Sequence, residues 1–418
     1  MAFEPTRDKT IGLASMKARS LGVFVIFLSA VFYWVSFSML RPMLALYFGD
    51  KGFDVAIVGI FMAVQSMMPL LFAIPLGGLI DLIGPRRSVF IGSLAGVASG
   101  LLLLGGALYE QISLVVASQI INGIGSILIW TALQAAVSLS AKQREDKSAR
   151  DKILSQFSFV NSLAQLAGPT IGGFFSEYGG YTAVFILFGM MNAAGLLLAC
   201  WLPKEGRAKN RDISFRFWTT YGAAFRLMRD NRAYASAIGL NAVLFILVDA
   251  RMTFVPLFLS NHSFSHAQIG TLLGVAAAAT MIIRPFVDIL LKRMSYHLLM
   301  SLSILIGGIC MVLLSLAPPF WLIAGVMFGW GICTGVNQPL ALIMVSNVLD
   351  DDQLGMGMSI RSMSNRTVQG LNPVFFGSIS TVMGLSFAFS GMGGCLLLFG
   401  LIHLLRRKPA NRTLDASS

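Results

Sequence analysis

The chain has 418 residues, of which 56% are hydrophobic and only 12% charged, and its formal net charge is +12. Soluble domains carry about 25% charged residues, so an ordinary soluble globular protein is excluded. The apolar residues come in blocks of roughly 20 to 28, parted by short polar breaks, and each block is long enough to cross a hydrocarbon core of about 30 Å.

Taken in chain order, the blocks predict twelve spans: 21–48, 56–80, 88–109, 113–140, 153–176, 182–202, 235–260, 267–291, 297–317, 319–348, 354–381 and 385–405. The first is too long for a signal peptide, and no small-residue cleavage site precedes a soluble domain. An even number of spans puts both termini on one side. The tails and loops of that side hold 25 of the 31 Lys+Arg residues, the opposite loops hold only Lys51, and five arginines lie within spans. This asymmetry follows the positive-inside rule and makes both termini cytoplasmic. It also explains the basic charge without nucleic acid as a partner. The partners expected are the lipid bilayer and a small-molecule substrate, with the chain working as a monomer.

The expected organisation is therefore a tail over 1–20, a six-helix bundle over 21–202, a basic cytoplasmic linker over 203–234, a second six-helix bundle over 235–405 and a tail over 406–418. The linker carries eight Lys+Arg residues from Lys204 to Arg232, a charge suited to an anionic lipid surface, and a surface helix near Phe215–Leu227 is expected. The four cysteines, Cys200, Cys310, Cys333 and Cys395, all fall inside spans and read as small buried hydrophobes.

The two halves repeat one another. A shift of 204 places Gly125 on Gly329, Gln134 on Gln338, Ser155 on Ser359, Asn161 on Asn365, Gln165 on Gln369, Pro169 on Pro373, Gly173 on Gly377 and Ser176 on Ser380. Polar residues are scarce inside membranes, so an apolar background does not readily produce these matches. A shift of 207 places Asp81 and Arg86 on Asp288 and Arg293. Parallel six-helix repeats imply alternating access around a site near the midplane.

The loop after span two runs Gly77-Gly78-Leu79-Ile80-Asp81-Leu82-Ile83-Gly84-Pro85-Arg86-Arg87. It resembles the loop signature of the major facilitator superfamily: glycine, three residues, aspartate, two residues, glycine and a basic pair. Small residues allow close helix approach, and the aspartate can accept from a helix N-terminus or a basic residue. The resemblance implies a cytoplasmic gate latch of Gly77, Asp81, Gly84, Arg86 and Arg87, with a second copy at Arg284, Asp288 and Arg293. The plainer alternative is that the basic pair only marks a cytoplasmic loop.

Span five contains Ala164-Gln165-Leu166-Ala167-Gly168-Pro169-Thr170-Ile171-Gly172-Gly173, which looks like the antiporter motif of drug–proton antiporters in that superfamily. Gly168, Gly172 and Gly173 make a flat face, and Pro169 removes a backbone donor. The resemblance implies packing against span one and a bias toward export. Span four reads Gln119-Ile120-Ile121-Asn122-Gly123-Ile124-Gly125-Ser126. It is similar to the family's span-four motif, but Gln119 stands where that motif begins with an arginine associated with proton transfer.

Ionisable residues at membrane depth are functional candidates by default. Here they are Asp249 and the arginines Arg41, Arg251, Arg284, Arg361 and Arg366. At 1.5 Å per residue, Asp249 lies about 16 Å from one surface and Arg366 about 18 Å from the other. Asp249 and Arg366 are the proton-coupling candidates: they pair as a switch broken by protonation, or as a permanent ion pair, or Asp249 pairs elsewhere. Arg41 and Arg251, 210 residues apart, sit at nearly equivalent places on spans one and seven, which line the cavity in this family. They bind a carboxylate or phosphate of the cargo or snorkel to headgroups. Gln134, Asn337 and Gln338 on spans four and ten complete the substrate-binding candidates. Arg361 is read as snorkelling inward.

No catalytic or cofactor-binding residue and no metal site is expected. His262 and His266 form an H-x-x-x-H pair in a loop with no further ligand nearby, and no GxxxxGK[ST] phosphate loop is present, so a proton gradient is the expected energy source. The fold class expected is an all-α membrane protein of twelve transmembrane helices in two pseudo-symmetric six-helix bundles. The function expected is a secondary-active, proton-coupled exporter of a small amphiphilic or anionic molecule, multi-pass in a bacterial inner membrane. An importer or facilitator of an organic anion is the alternative, and a membrane receptor or enzyme on the same fold a distant one.

Overall fold

Hydrocarbon offers backbone N–H and C=O groups no partner, so a long apolar block folds as a helix that satisfies its own backbone. The structure is a computed structural model that describes residues 6–142, 146–203, 226–316, 319–349 and 354–405. Among the described residues there is no strand. The first five helices are Thr6–Asp50, Val55–Ile83, Pro85–Leu108, Ile112–Lys142 and Lys147–Ala199. The later ones are Arg232–Asn261, His266–Ile283, Tyr296–Ser315, Phe320–Val348, Leu354–Met383 and Leu385–Leu405, with a short helix Val287–Arg293 before Tyr296.

Among the described residues, ten stretches are long and apolar enough to cross a membrane. One of them, Ser148–Ala199, has 52 residues, about twice what a bilayer needs. It breaks at Gly180, where φ is 67° and ψ −176°, a conformation open to glycine because it has no Cβ. Spans five and six meet there, as the sequence expects. Leu354–Met383, with 30 residues, is span eleven; Arg361, Asn365, Arg366, Gln369 and Asn372 make it too polar to stand among the ten. Counting Ser148–Ala199 twice and adding span eleven gives twelve spans in an all-α membrane fold.

Two local features differ from the expected boundaries. The helix of span one begins at Thr6 rather than near 21. Span eight is not one continuous helix: His266–Ile283 gives way to a 3-10 turn, Arg284–Phe286, and then to Val287–Arg293. Pro285 lacks the N–H that would continue the α-helical ladder. Most of the surface helix expected near Phe215–Leu227 lies outside the described residues.

The chain forms two compact units: Met1–Gly52, Ile60–Thr219 and Phe264–Thr271 in the first, and Phe53–Gly59, Thr220–Ser263 and Leu272–Ser418 in the second. In the first, span one packs on span five through the glycines of the antiporter-like motif. A Cβ on Gly168 would strike Ser38 Oγ and lie 2.8 Å from the Val35 carbonyl oxygen; one on Gly172 would lie 2.7 Å from Met39 Cγ. In the second, spans nine and twelve meet at Gly308 and Gly393, where an added Cβ would come within 2.9 Å of the facing backbone oxygen.

The first unit also includes the opening turns of span eight, because Gly270 lies against span five. A Cβ on Gly270 would sit 2.6 Å from the Pro169 carbonyl oxygen and 3.0 Å from Gly173 Cα, and Thr170 Oγ1 donates to the Gly270 carbonyl at 3.3 Å. The second unit includes the start of span two in the same manner. A Cβ on Gly377 would sit 2.7 Å from the Val55 carbonyl oxygen, and the Ala56 N–H donates to Thr381 Oγ1 at 2.9 Å. Pro169 and Gly173 are the repeat equivalents of Pro373 and Gly377, so one close-approach device occurs once in each unit.

Overpacking a close helix contact costs about 1–3 kcal/mol. Gly168→Ala is therefore expected to lower the melting temperature of the purified protein by several degrees. Gly325→Ala, with nothing within 4 Å of the added Cβ, is expected to leave it unchanged or raise it. Thermal melts in one detergent check both.

Candidate functional site

A polar side chain inside a span needs a partner on a neighbouring helix. The second unit meets this need with a ladder between spans seven and eleven. Tyr234 Oη donates to the Gly357 carbonyl at 2.7 Å, Asn241 Nδ2 to Asn365 Oδ1 at 2.6 Å, and Asn372 Nδ2 to Asp249 Oδ2 at 2.8 Å. The partners are 123, 124 and 123 residues apart, and so constant an offset means the two helices run parallel and in register. Successive rungs lie two turns apart, about 11 Å. Beyond the last, the rings of Phe254 and Phe376 stack at 4.4 Å between centroids.

Asp249 is 0% exposed, so its carboxylate depends on the neighbouring helices for hydrogen bonds. Arg366 lies on the laddered span eleven, where its Nη1 donates to Gln369 Oε1 at 3.0 Å. Asn372, Asn241 and the role of Asn365 as a rung were missed by sequence reasoning. Their signal was the spacing: polar residues recur at 241 and 249 on one helix and at 365 and 372 on the other, which puts each set on one face.

Arg251 is buried, and its Nη1 donates to Thr334 Oγ1 of span ten at 3.3 Å. Thr334 sends its own proton to the Trp330 carbonyl at 2.9 Å, which leaves its oxygen able to accept from the guanidinium. Asn337 lies one turn further along span ten, buried, and its Oδ1 accepts no hydrogen bond among the described residues. Arg251, Thr334 and Asn337 thus form a buried polar group on spans seven and ten. The side chain of Gln338 lies outside the described residues. In the first unit Arg41 is buried, whereas Gln134 is exposed.

In the loop motif, Gly84 has φ 85° and precedes Pro85, the first residue of the span-three helix. Arg86 Nη2 donates to the Cys200 carbonyl at 2.5 Å, joining this loop to the end of span six. Gly77 and Arg284 are half-buried, and Arg87 and Arg293 are exposed. The side chains of Asp81 and Asp288 lie outside the described residues, so the carboxylates of the expected latch do not enter this geometry.

His262 and His266 do not share a helix face: the first caps Arg232–Asn261 and the second opens His266–Ile283. His266 Nδ1 lies 2.8 Å from Ser176 Oγ, and its Nε2 lies 3.6 Å from Asp50 Oδ2, which accepts from Tyr181 Oη at 2.5 Å. Lys51, the one basic residue of its side, pairs with Glu110 at 2.8 Å. This holds the Glu110 carboxyl below its ordinary pKa and the Lys51 ammonium above it; both are exposed, so the pair contributes little to stability.

The chain is similar to proteins that differ in what they carry. It is 23% identical to the multidrug resistance protein Stp of Mycobacterium tuberculosis (strain ATCC 25618 / H37Rv), over 88% of this chain and 75% of that protein. It is 23% identical to the methylenomycin A resistance protein of Bacillus subtilis (strain 168), over 81% of this chain and 83% of that protein. Among solved structures it resembles a variant of the nucleoside transporter NupG, with a TM-score of 0.79 at 13% identity over 93% of this chain and 100% of that one. It also resembles a POT family transporter solved with 5-aminolevulinic acid, with a TM-score of 0.74 at 16% identity over 92% and 95%. The sequence matches the family description of the Major Facilitator Superfamily over residues 26–328 and 245–418. With its long apolar helices, two sequence repeats and that match across nearly its whole length, the chain is a membrane transporter that belongs to the Major Facilitator Superfamily.

Proposed function

We propose that this transporter is a proton-coupled exporter of a small amphiphilic or anionic molecule, working by alternating access in a bacterial inner membrane with both termini in the cytoplasm. The observation that carries the coupling is Asp249: a carboxylate 0% exposed, near the middle of a span, that accepts from an amide of a parallel helix. A buried carboxyl group that gains or loses a proton changes its hydrogen-bonding needs outright. In this reading charged Asp249 attracts Arg366, protonation removes that attraction, and the ladder of spans seven and eleven is the element that responds. Export is supported by the two resistance proteins among the relatives and by the antiporter-like motif at Gly168, Pro169, Gly172 and Gly173. Gln119 at the usual arginine position fits a proton route through Asp249 rather than through span four.

The basic loop of Arg86 and Arg87, with Asp81, acts in this reading as the cytoplasmic latch, and Arg284, Asp288 and Arg293 are its sequence-repeat copy in the second unit. In this reading Arg41 with Gln134 in the first unit, and Arg251 with Asn337 and Gln338 in the second, are each suited to meet an acidic or polar group of the cargo. The second reading, an importer or facilitator of an organic anion, rests on the same buried guanidinium group of Arg251 with Thr334.

Everted membrane vesicles test the coupling, with a cargo found by comparing compounds exported by cells with and without the chain. Asp249→Asn is expected to abolish transport driven by an imposed proton gradient while leaving cargo counterflow in place. Undiminished gradient-driven transport in Asp249→Asn would rule the coupling site out. For the cargo, Arg251→Gln and Thr334→Val are each expected to weaken binding of an anionic cargo about tenfold, equal to 1.4 kcal/mol. Equal affinity in both variants would remove the anion reading.

A further inference from the structure

The first unit holds an aromatic assembly that the repeat does not require. Trp130 of span four stacks against Tyr33 of span one, with centroids 6.1 Å apart and planes at 11°. It also stacks against Phe157 of span five, at 6.0 Å and 9°. Trp34 meets Trp130 edge-on at 4.9 Å, and Phe37 lies 5.7 Å from Tyr33 and 5.8 Å from Trp34. Trp34, Phe37 and Trp130 are only partly buried. The Nε1 of Trp34 is enclosed yet finds no acceptor among the described residues, although a buried indole N–H normally has one.

The neighbours give this assembly a polar end and a wet edge. Tyr33, Phe37 and Arg41 recur every four residues, so they share one face of span one, and Arg41 lies about 6 Å beyond Phe37. Gln134 lies one turn from Trp130 on span four and is exposed. An exposed amide within a span points to a water-lined space in preference to lipid.

The repeat separates packing from recognition. The shift of 204 puts Thr334 at the place of Trp130 and Arg361 at that of Phe157. The shift of 210 puts Val243, Leu244 and Leu247 at the places of Tyr33, Trp34 and Phe37, but keeps an arginine, Arg251, at that of Arg41. The guanidinium position is common to both halves and the aromatic set is not. A helix-packing need shared by the two halves would not call for two tryptophans at positions that hold Thr334 and Leu244 in the other half.

We propose that Trp130, Trp34 and Phe37 form the surface on which the cargo lays a planar aromatic ring, with Arg41 receiving an acidic group one turn away. The cargo class is an aryl carboxylate or an equivalent ring-bearing anion. This rests on the reading above that Arg41 faces the cargo. Ring stacking and a guanidinium–carboxylate pair are complementary: the first selects planarity and the second charge.

The test is equilibrium binding of radiolabelled 1-naphthoate to the full chain in lipid nanodiscs. Octanoate, which has the charge without the ring, and 1-naphthylmethanol, which has the ring without the charge, serve as competitors. We expect 1-naphthoate to bind, and each competitor to displace it only at a concentration at least about tenfold higher. Trp130→Leu is expected to weaken 1-naphthoate binding about tenfold while leaving octanoate unaffected, Trp130→Phe to retain most of the affinity, and Arg41→Gln to weaken 1-naphthoate but not 1-naphthylmethanol. Failure of 1-naphthoate to bind, equal displacement by octanoate, or unmodified affinity in a folded Trp130→Leu protein with an unchanged melting temperature would overturn the proposal. Asp249→Asn is expected to bind 1-naphthoate as the unmodified chain does. Intact 1-naphthoate binding in that variant would support a ring surface separate from the coupling site, and gradient-driven transport undiminished in Asp249→Asn would tell against the coupling reading alone.

Discussion

A polar group in hydrocarbon has only other parts of the protein to bond with, and the contact that meets this constraint at its harshest is Asn372 on Asp249. The Asp249 carboxylate is fully enclosed, so its stability depends on what spans seven and eleven bring to it. The same need recurs at Asn241 with Asn365 and at Tyr234 with Gly357, and satisfying all three fixes the register of the two helices. A slip of one residue would rotate every rung off its partner by about 100°. The polar residues of span eleven therefore have a structural task before they have a functional one.

The two units solve an equivalent packing problem with different chemistry. The shift of 204 places Gly168 at the position of Asn372, and the shift of 210 places Met39 at that of Asp249. In the first unit this crossing is a close approach, with the backbone of Val35 and Met39 against Gly168. In the second it is a carboxylate held by an amide. Small residues give dispersion and nearness; the polar pair gives a group whose bonding changes with its proton. One pseudo-symmetric fold thus carries a rigid seam in one half and an ionisable seam in the other.

The spans were legible because their signal is length and hydropathy, which a bilayer makes almost sufficient. The join of spans five and six was legible as a break near 176–182, although its cause, the left-handed Gly180, is a matter of backbone conformation. Pro285 is plain in the sequence, yet that the chain resumes as a helix after a 3-10 turn depends on the neighbouring packing. Partner identities were the hard part. Periodicity tells which residues share a helix face, but not which helix that face meets. Hence Asp249 was visible as a candidate and Asn372 was not, and Arg251 was visible without Thr334. The aromatic assembly of Tyr33, Trp34 and Trp130 was not legible, because it required spans one and four to be placed side by side.

The proposed coupling requires Asp249 to exchange a proton while Asn372 bonds to it. Infrared difference spectroscopy of the full chain in lipid, recorded as pH is stepped, reads this directly as a protonated-carboxyl band. The account expects a titrating band that is absent in Asp249→Asn and displaced in frequency and midpoint in Asn372→Leu. A spectrum with no such band, or one that both substitutions leave untouched, would contradict it.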